Sequence, residues 1–132
     1  MNLLLDTHIF LWAIFEPEKF SKKLKASLLN PESTSFISII TFWEISLKFT
    51  LRKIDLKGIL PDALPKIARN DGFEILDLNI NTVSSFYKLP KVKNKDPFDR
   101  MLAWQAIQND CYLLTKDSDF AAYKEYGLRI IY

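Results

Sequence analysis

Asp6, Glu44, Asp96, Asp99, Asp117 and Asp119 are the residues whose type and spacing most directly offer chemistry. Each follows a short apolar run or opens a stretch with helical spacing. Carboxylates gathered at one place repel one another and raise each other's pKa unless a cation offsets them. An all-oxygen donor set suits a hard ion such as Mg²⁺ or Mn²⁺, which needs few carboxylates and keeps several waters. Such an ion can bind a phosphodiester oxygen, acidify a water and stabilise a leaving oxygen. A plainer reading exists for each acid, because carboxylates at helix starts cap free N–H groups and complement the helix dipole. Thr41-Phe42-Trp43-Glu44 fits a capping box with Glu44 reaching back to the Thr41 amide, and Asp96-Pro97-Phe98-Asp99 fits a similar cap. Asp6-Thr7 and Asp117-Ser118 fit simple caps. Taken singly, either reading serves. The common address of Asp6, Glu44, Asp99 and Asp117 favours a site, and a capping carboxylate can still bind a metal.

The elements that must position these acids alternate along the chain. Strands are expected at Asn2 to Asp6, Ser35 to Ile40, Phe73 to Leu78, Cys111 to Thr115 and Leu128 to Tyr132. Helices are expected at Thr7 to Phe15, Ser21 to Leu29, Thr41 to Leu51, Asp62 to Asn70, Asn81 to Lys88 and Pro97 to Gln108, with a short one between the last two strands. Glu44 then falls in the first turn of its helix. The alternation predicts an α/β fold with a mostly parallel sheet covered on both faces. Ligands in such folds sit beyond the carboxyl ends of the strands.

Length and composition set the outer limits. A chain of 132 residues fits one domain, and 48% hydrophobic with 26% charged residues is ordinary for a globular protein. The net charge of +2 does not by itself mark a nucleic-acid binder. No apolar run approaches the ~18 residues of a membrane span. The start lacks the basic region and cleavage site of a secretory signal, and the single cysteine, Cys111, allows no internal disulfide. A cytoplasmic location is therefore expected.

Other residues are weighed and set lower. His8 is the only histidine, and no Gly-x-Ser-x-Gly turn accompanies it, so a structural or substrate-side place is expected. Cys111 reads as an inert core thiol. Trp12, Trp43 and Trp104 read as core or interface residues. Thr7 and Thr115 flank the acids and can donate to a carboxylate, a phosphate or a backbone group. Lys91, Lys93, Lys95 and Arg100 form either a basic rim for an RNA backbone or a solvated loop.

Four segments together resemble the PIN-domain family, and within it the VapC-like toxins of prokaryotic toxin–antitoxin pairs. They are Leu4-Leu5-Asp6-Thr7-His8-Ile9-Phe10-Leu11-Trp12, the run from Ser38 to Lys48, Asp96-Pro97-Phe98-Asp99-Arg100 continuing to Ala106, and Leu113-Leu114-Thr115-Lys116-Asp117 with the chain end. Their order and spacing span nearly the whole chain. The resemblance implies a three-layer α/β/α PIN-like fold over residues 1–132 as a single nuclease domain. It also implies an Mg²⁺- or Mn²⁺-dependent endoribonuclease with Asp6, Glu44, Asp99 and Asp117 as its acids and Asp96 as a neighbour in the same motif. Asp119 falls on no family acid and reads as a surface or capping residue. The partners implied are an RNA substrate, a VapB-like antitoxin and a second copy of the chain, with no membrane.

Rival readings remain. A haloacid-dehalogenase-type phosphotransferase needs a second acid where His8 stands, and a receiver domain needs an adjacent acidic pair near its start. A non-catalytic RNA- or protein-binding module on a PIN-like fold is the alternative from another class, and the intact acids weigh against it.

Overall fold

Three consecutive leucines set the layering. In a computed structural model describing residues 1–132, β1 (Asn2–Leu5) is the central strand of a five-stranded sheet. Successive strand side chains point to opposite faces, so Leu3 and Leu5 enter one core while Leu4 enters the other. The remaining strands are β2 (Thr34–Ser38), β3 (Glu74–Leu76), β4 (Tyr112–Leu114) and β5 (Arg129–Ile131). Every pairing is parallel and the spatial order is β3-β2-β1-β4-β5.

The helices divide between the faces. α1 (Thr7–Phe15), α2 (Lys22–Leu29) and α4 (Leu64–Asn70) place Ile9, Phe10, Leu24, Leu64 and Ala68 in the core shared with Leu3 and Leu5. α6 (Pro97–Gln108) and the 3₁₀ segment Ser118–Tyr126 place Leu102, Ala103, Phe120 and Tyr123 against Leu4 and Leu113. α3 (Ile39–Thr50) reaches both cores through Ile45 and Ile40, and α5 (Ile80–Ser85) packs near α6. This is the three-layer α/β/α arrangement expected from the sequence, with a sheet that is wholly parallel. Strand order runs outward from β1 in both directions, so the direction of winding reverses between β1 and β4. Right-handed crossovers then put the connecting helices on opposite faces. The crevice at the carboxyl ends of β1 and β4 is the switch point where such folds bind ligands.

Three boundaries depart from expectation. Ile39 and Ile40 do not extend β2; they open α3, because the Ser38 hydroxyl accepts from the Ile40 amide (3.0 Å) and caps the helix. The segment from Asp62 is not one helix. Pro61–Ala63 forms a 3₁₀ turn and α4 begins afresh at Leu64, with Pro65 in its first turn where a missing N–H costs nothing. The helix expected from Asn81 to Lys88 starts at Ile80, capped by Asn79, and tightens to 3₁₀ at Phe86–Lys88. A buried link fixes α6 to the sheet end: the Ser38 hydroxyl donates to Gln105, whose amide donates to the Asp77 carbonyl (3.4 Å). No helix is long and apolar enough to cross a membrane.

Candidate active site

Asp6 is the first residue past β1 and the N-cap of α1. Its Oδ1 accepts from the Ile9 amide at 2.8 Å, and its Oδ2 accepts from the Thr115 hydroxyl at 2.5 Å. Parallel register puts Leu5 beside Leu114, which brings the residues after both strands together. The side chain is only 4% exposed. Burial raises its pKa above the usual carboxylate value. The Thr115 and Ile9 hydrogen bonds and the charge of His8 pull the other way, and Asp117 adds to the rise. Thr115 also accepts from the Asp117 amide at 3.0 Å, so one hydroxyl ties two acidic residues to the end of β4.

Glu44 is not in a capping box. α3 starts at Ile39, so Glu44 lies in the second turn and its carboxylate turns inward rather than back to Thr41. It is 3% exposed. Oε1 accepts from the Thr7 hydroxyl at 2.6 Å, and Oε2 pairs with the Lys48 ammonium one turn further along α3. A buried carboxylate that caps nothing and is held by two side chains is placed for something other than starting a helix.

Asp96 and Asp99 divide their work. Asp96 is exposed and caps α6, accepting from the amides of Phe98 (2.8 Å) and Asp99 (3.2 Å). Asp99 is half-buried, and its Oδ2 accepts from the Asn94 side-chain amide at 3.1 Å. Burial is the main cause that pushes the Asp99 carboxyl up to about 6. The Asn94 hydrogen bond opposes the rise, and the charges of Asp96, Glu44 and Asp117 add to it.

These acids share one electrostatic neighbourhood. Asp117 bears on both Asp6 and Asp99, and Glu44 bears on Asp99. They come from four separate stretches of chain that meet at the switch point. Asp119 is apart: it is exposed, and only its backbone amide takes part, donating to Asp117 (2.9 Å). His8 is exposed on α1, while Cys111 is buried with its thiol pKa raised chiefly by burial. The tryptophans separate: Trp104 is buried and donates to the Thr82 carbonyl (3.0 Å), Trp12 is half-buried, and Trp43 is 62% exposed. Phe10 and Phe42 pack edge-to-face at 5.6 Å. Lys48 and Asn94 escaped the sequence reading. Lys48 had a signal, since it stands four residues after Glu44.

No three His, Cys, Asp or Glu side chains converge tightly enough to form a closed metal site. The candidate donor set is nonetheless all oxygen, with Asp6 and Glu44 buried and Asp99 and Asp117 half-buried, which would suit a hydrated ion held directly by one or two carboxylates and through water by the rest.

A parallel α/β sheet carrying acids at the switch point between its central strands defines the class. The PIN domain family matches residues 3–126, and the chain belongs to that family. No curated protein matches it in sequence. Similar solved structures include the VapBC2 complex of Rickettsia felis bound to a promoter DNA fragment, at 22% identity and TM-score 0.67, covering 99% of this chain and 98% of that one. FitAcB of Neisseria gonorrhoeae is 20% identical with TM-score 0.64, covering 98% and 96%. VapBC-1 of nontypeable Haemophilus influenzae is 18% identical with TM-score 0.63, covering 99% and 97%. At these identities the likeness is one of fold.

Proposed function

We propose that this chain is a divalent-metal-dependent endoribonuclease acting as the VapC-like toxin of a toxin–antitoxin pair. The observation that carries the reading is the meeting of Asp6, Glu44, Asp99 and Asp117 near the β1–β4 switch point, all buried or half-buried, with the carboxyls of Asp6 and Asp99 raised by burial and by the neighbouring acids. Membership of the PIN family and the VapBC complexes among its structural likenesses support it.

In this mechanism Asp6, Asp99 and Asp117 would hold Mg²⁺ or Mn²⁺, with Asp96 as an outer acid. When bound, the ion acidifies a water and offsets charge on the leaving oxygen. Thr115 and the Ile9 amide fix both oxygens of Asp6, so that carboxylate does not have to be ordered when substrate arrives. Thr7 and Lys48 fix Glu44, which helps to hold the ion or orients the attacking water. Attack in line on phosphorus breaks the bond to O3′ and leaves a 5′-phosphate and a 3′-hydroxyl.

The whole of residues 1–132 works as one nuclease domain in the cytoplasm, with a VapB-like antitoxin and a second copy of itself as protein partners. A protein partner is supported by large apolar side chains left on the surface. Ile39, Trp43 and Leu47 recur at helical spacing along α3, and Ile80, Val83 and Tyr87 do so from α5 onward. Leu11, Trp12 and Phe15 line a hollow of about 290 Å³ with His8 at its edge.

The test is to incubate purified, antitoxin-free protein with a cellular RNA pool, with and without Mn²⁺ or Mg²⁺, and map the ends. Discrete metal-dependent cuts bearing 5′-phosphates are expected. A folded protein that leaves every RNA intact under both ions would overturn the nuclease reading.

A further inference from the structure

The segment Leu89–Asp96, between the 3₁₀ turn Phe86–Lys88 and α6, carries three lysines and is pinned down by one arginine. The Arg100 guanidinium donates to the carbonyls of Leu89 (3.3 Å) and Pro90 (3.4 Å) and to the Tyr123 hydroxyl (3.1 Å). It also lies over the Phe86 ring, 5.3 Å from its centroid. Tyr123 in turn donates to the Asn94 carbonyl at 3.4 Å. Arg100 is therefore spent on holding the loop. Lys91, Lys93 and Lys95 are exposed and enter no ion pair or side-chain hydrogen bond.

This arrangement leaves an open pocket of about 510 Å³ lined by Phe86, Lys91, Val92, Asn94, Lys95 and Arg100. The volume is in the range of small-ligand pockets, ~300–1,000 Å³. Its wall includes the half-buried Phe86 ring, an aromatic surface of the kind on which an unstacked RNA base rests. Its rim offers two uncommitted ammonium groups for backbone phosphate. Asn94 joins the cavity to the acids, because the same side chain that lines it donates to Asp99.

We infer that this cavity is a subsite for one nucleotide of single-stranded RNA next to the scissile phosphate, with Lys91 and Lys95 taking the backbone and Phe86 the base. The inference rests on the ribonuclease reading and adds where sequence preference is set. A duplex would keep its bases stacked away from the cavity, so single strands and loops are the favoured substrates.

The experiment measures binding of a labelled single-stranded RNA to the metal-free full chain over a range of salt, followed by cut-site mapping with Mn²⁺. The Lys91→Ala/Lys95→Ala chain is expected to bind more weakly, with the slope of log affinity against log salt reduced by about 1.4, ~0.7 per lysine lost on a single strand. Lys22→Ala/Lys25→Ala on α2 is the control and keeps the wild-type slope. Phe86→Leu is expected to lose on the order of tenfold in affinity and to relax base preference at one position of the cut site. Unchanged affinity and slope in the Lys91/Lys95 variant, from protein that still cuts RNA, would overturn the subsite and leave the nuclease standing. Binding lost in that variant, from a wild type that never cuts, would do the reverse.

Discussion

Asp6, just past β1, and Glu44, on α3, are buried and every carboxylate oxygen has a partner: Ile9 and Thr115 for one, Thr7 and Lys48 for the other. Across the crevice, at the start of α6, Asp96 is exposed, Asp99 is half-buried with one side-chain amide on it, and unpaired lysines stand beside them. The first region is ordered before any ligand arrives. The second remains open and charged on both signs. The fixed acids are thus held by buried partners, and the accessible ones stand beside free lysines.

Removing the central fixed acid should have the largest effect. Asp6→Asn is expected to lower cleavage roughly a thousandfold, the several kcal/mol of a metal ligand at ~1.4 kcal/mol per tenfold. Its fold should persist, because an amide oxygen still accepts from Ile9 and the Thr115 hydroxyl can accept as well as donate. Rates with circular dichroism on the same sample check both halves. Thr115→Val probes the support of that acid. It removes the donor to Asp6 and the acceptor for the Asp117 amide together. A drop of about 10–100-fold in activity is expected, as for other residues that orient ligands, with a stability loss of about 1–3 kcal/mol from the orphaned groups. Denaturant titration separates the two.

The open region should announce itself through pH. Asp99 has its pKa raised to about 6 in the folded chain, against ~3.9 unfolded. The folded state holds the extra proton, so this group's stabilising contribution is full below the unfolded value and is lost as pH rises through about 6. Metal-free protein should therefore weaken across that window, and Mg²⁺ should raise the melting temperature at pH 7.5 far more than at pH 5. Melts at both pH values, with and without ion, read the difference. The smallest effect is expected outside both regions: Asp119→Ala should change stability by less than about 0.5 kcal/mol and leave cleavage rates at the wild-type level.

Much of this contrast was readable from residues. Apolar runs cut by Asp6, Asn30-Pro31 and Asp71-Gly72 marked the strands and helices in their observed order. The start of α3 was not readable, because β-branched Ile39 and Ile40 prolong a strand pattern and both Ser38 and Thr41 are competent caps. That choice moved Glu44 out of the first turn and removed its capping role. The pairing of Thr115 with Asp6 depends on β1 and β4 being neighbours, which periodicity cannot supply. The Asn94–Asp99 contact depends on Arg100 gripping a loop eleven residues back at Leu89, again a tertiary matter.

The central proposal is that Asp6 and Asp99, one from each region, both serve divalent-ion binding. Titrating Mn²⁺ into wild type, Asp6→Asn, Asp99→Asn and Asp119→Asn by calorimetry tests it most directly. The account predicts that binding is lost or greatly weakened in the Asp6 and Asp99 variants and unchanged in the Asp119 variant. The same isotherm in all four chains would contradict it.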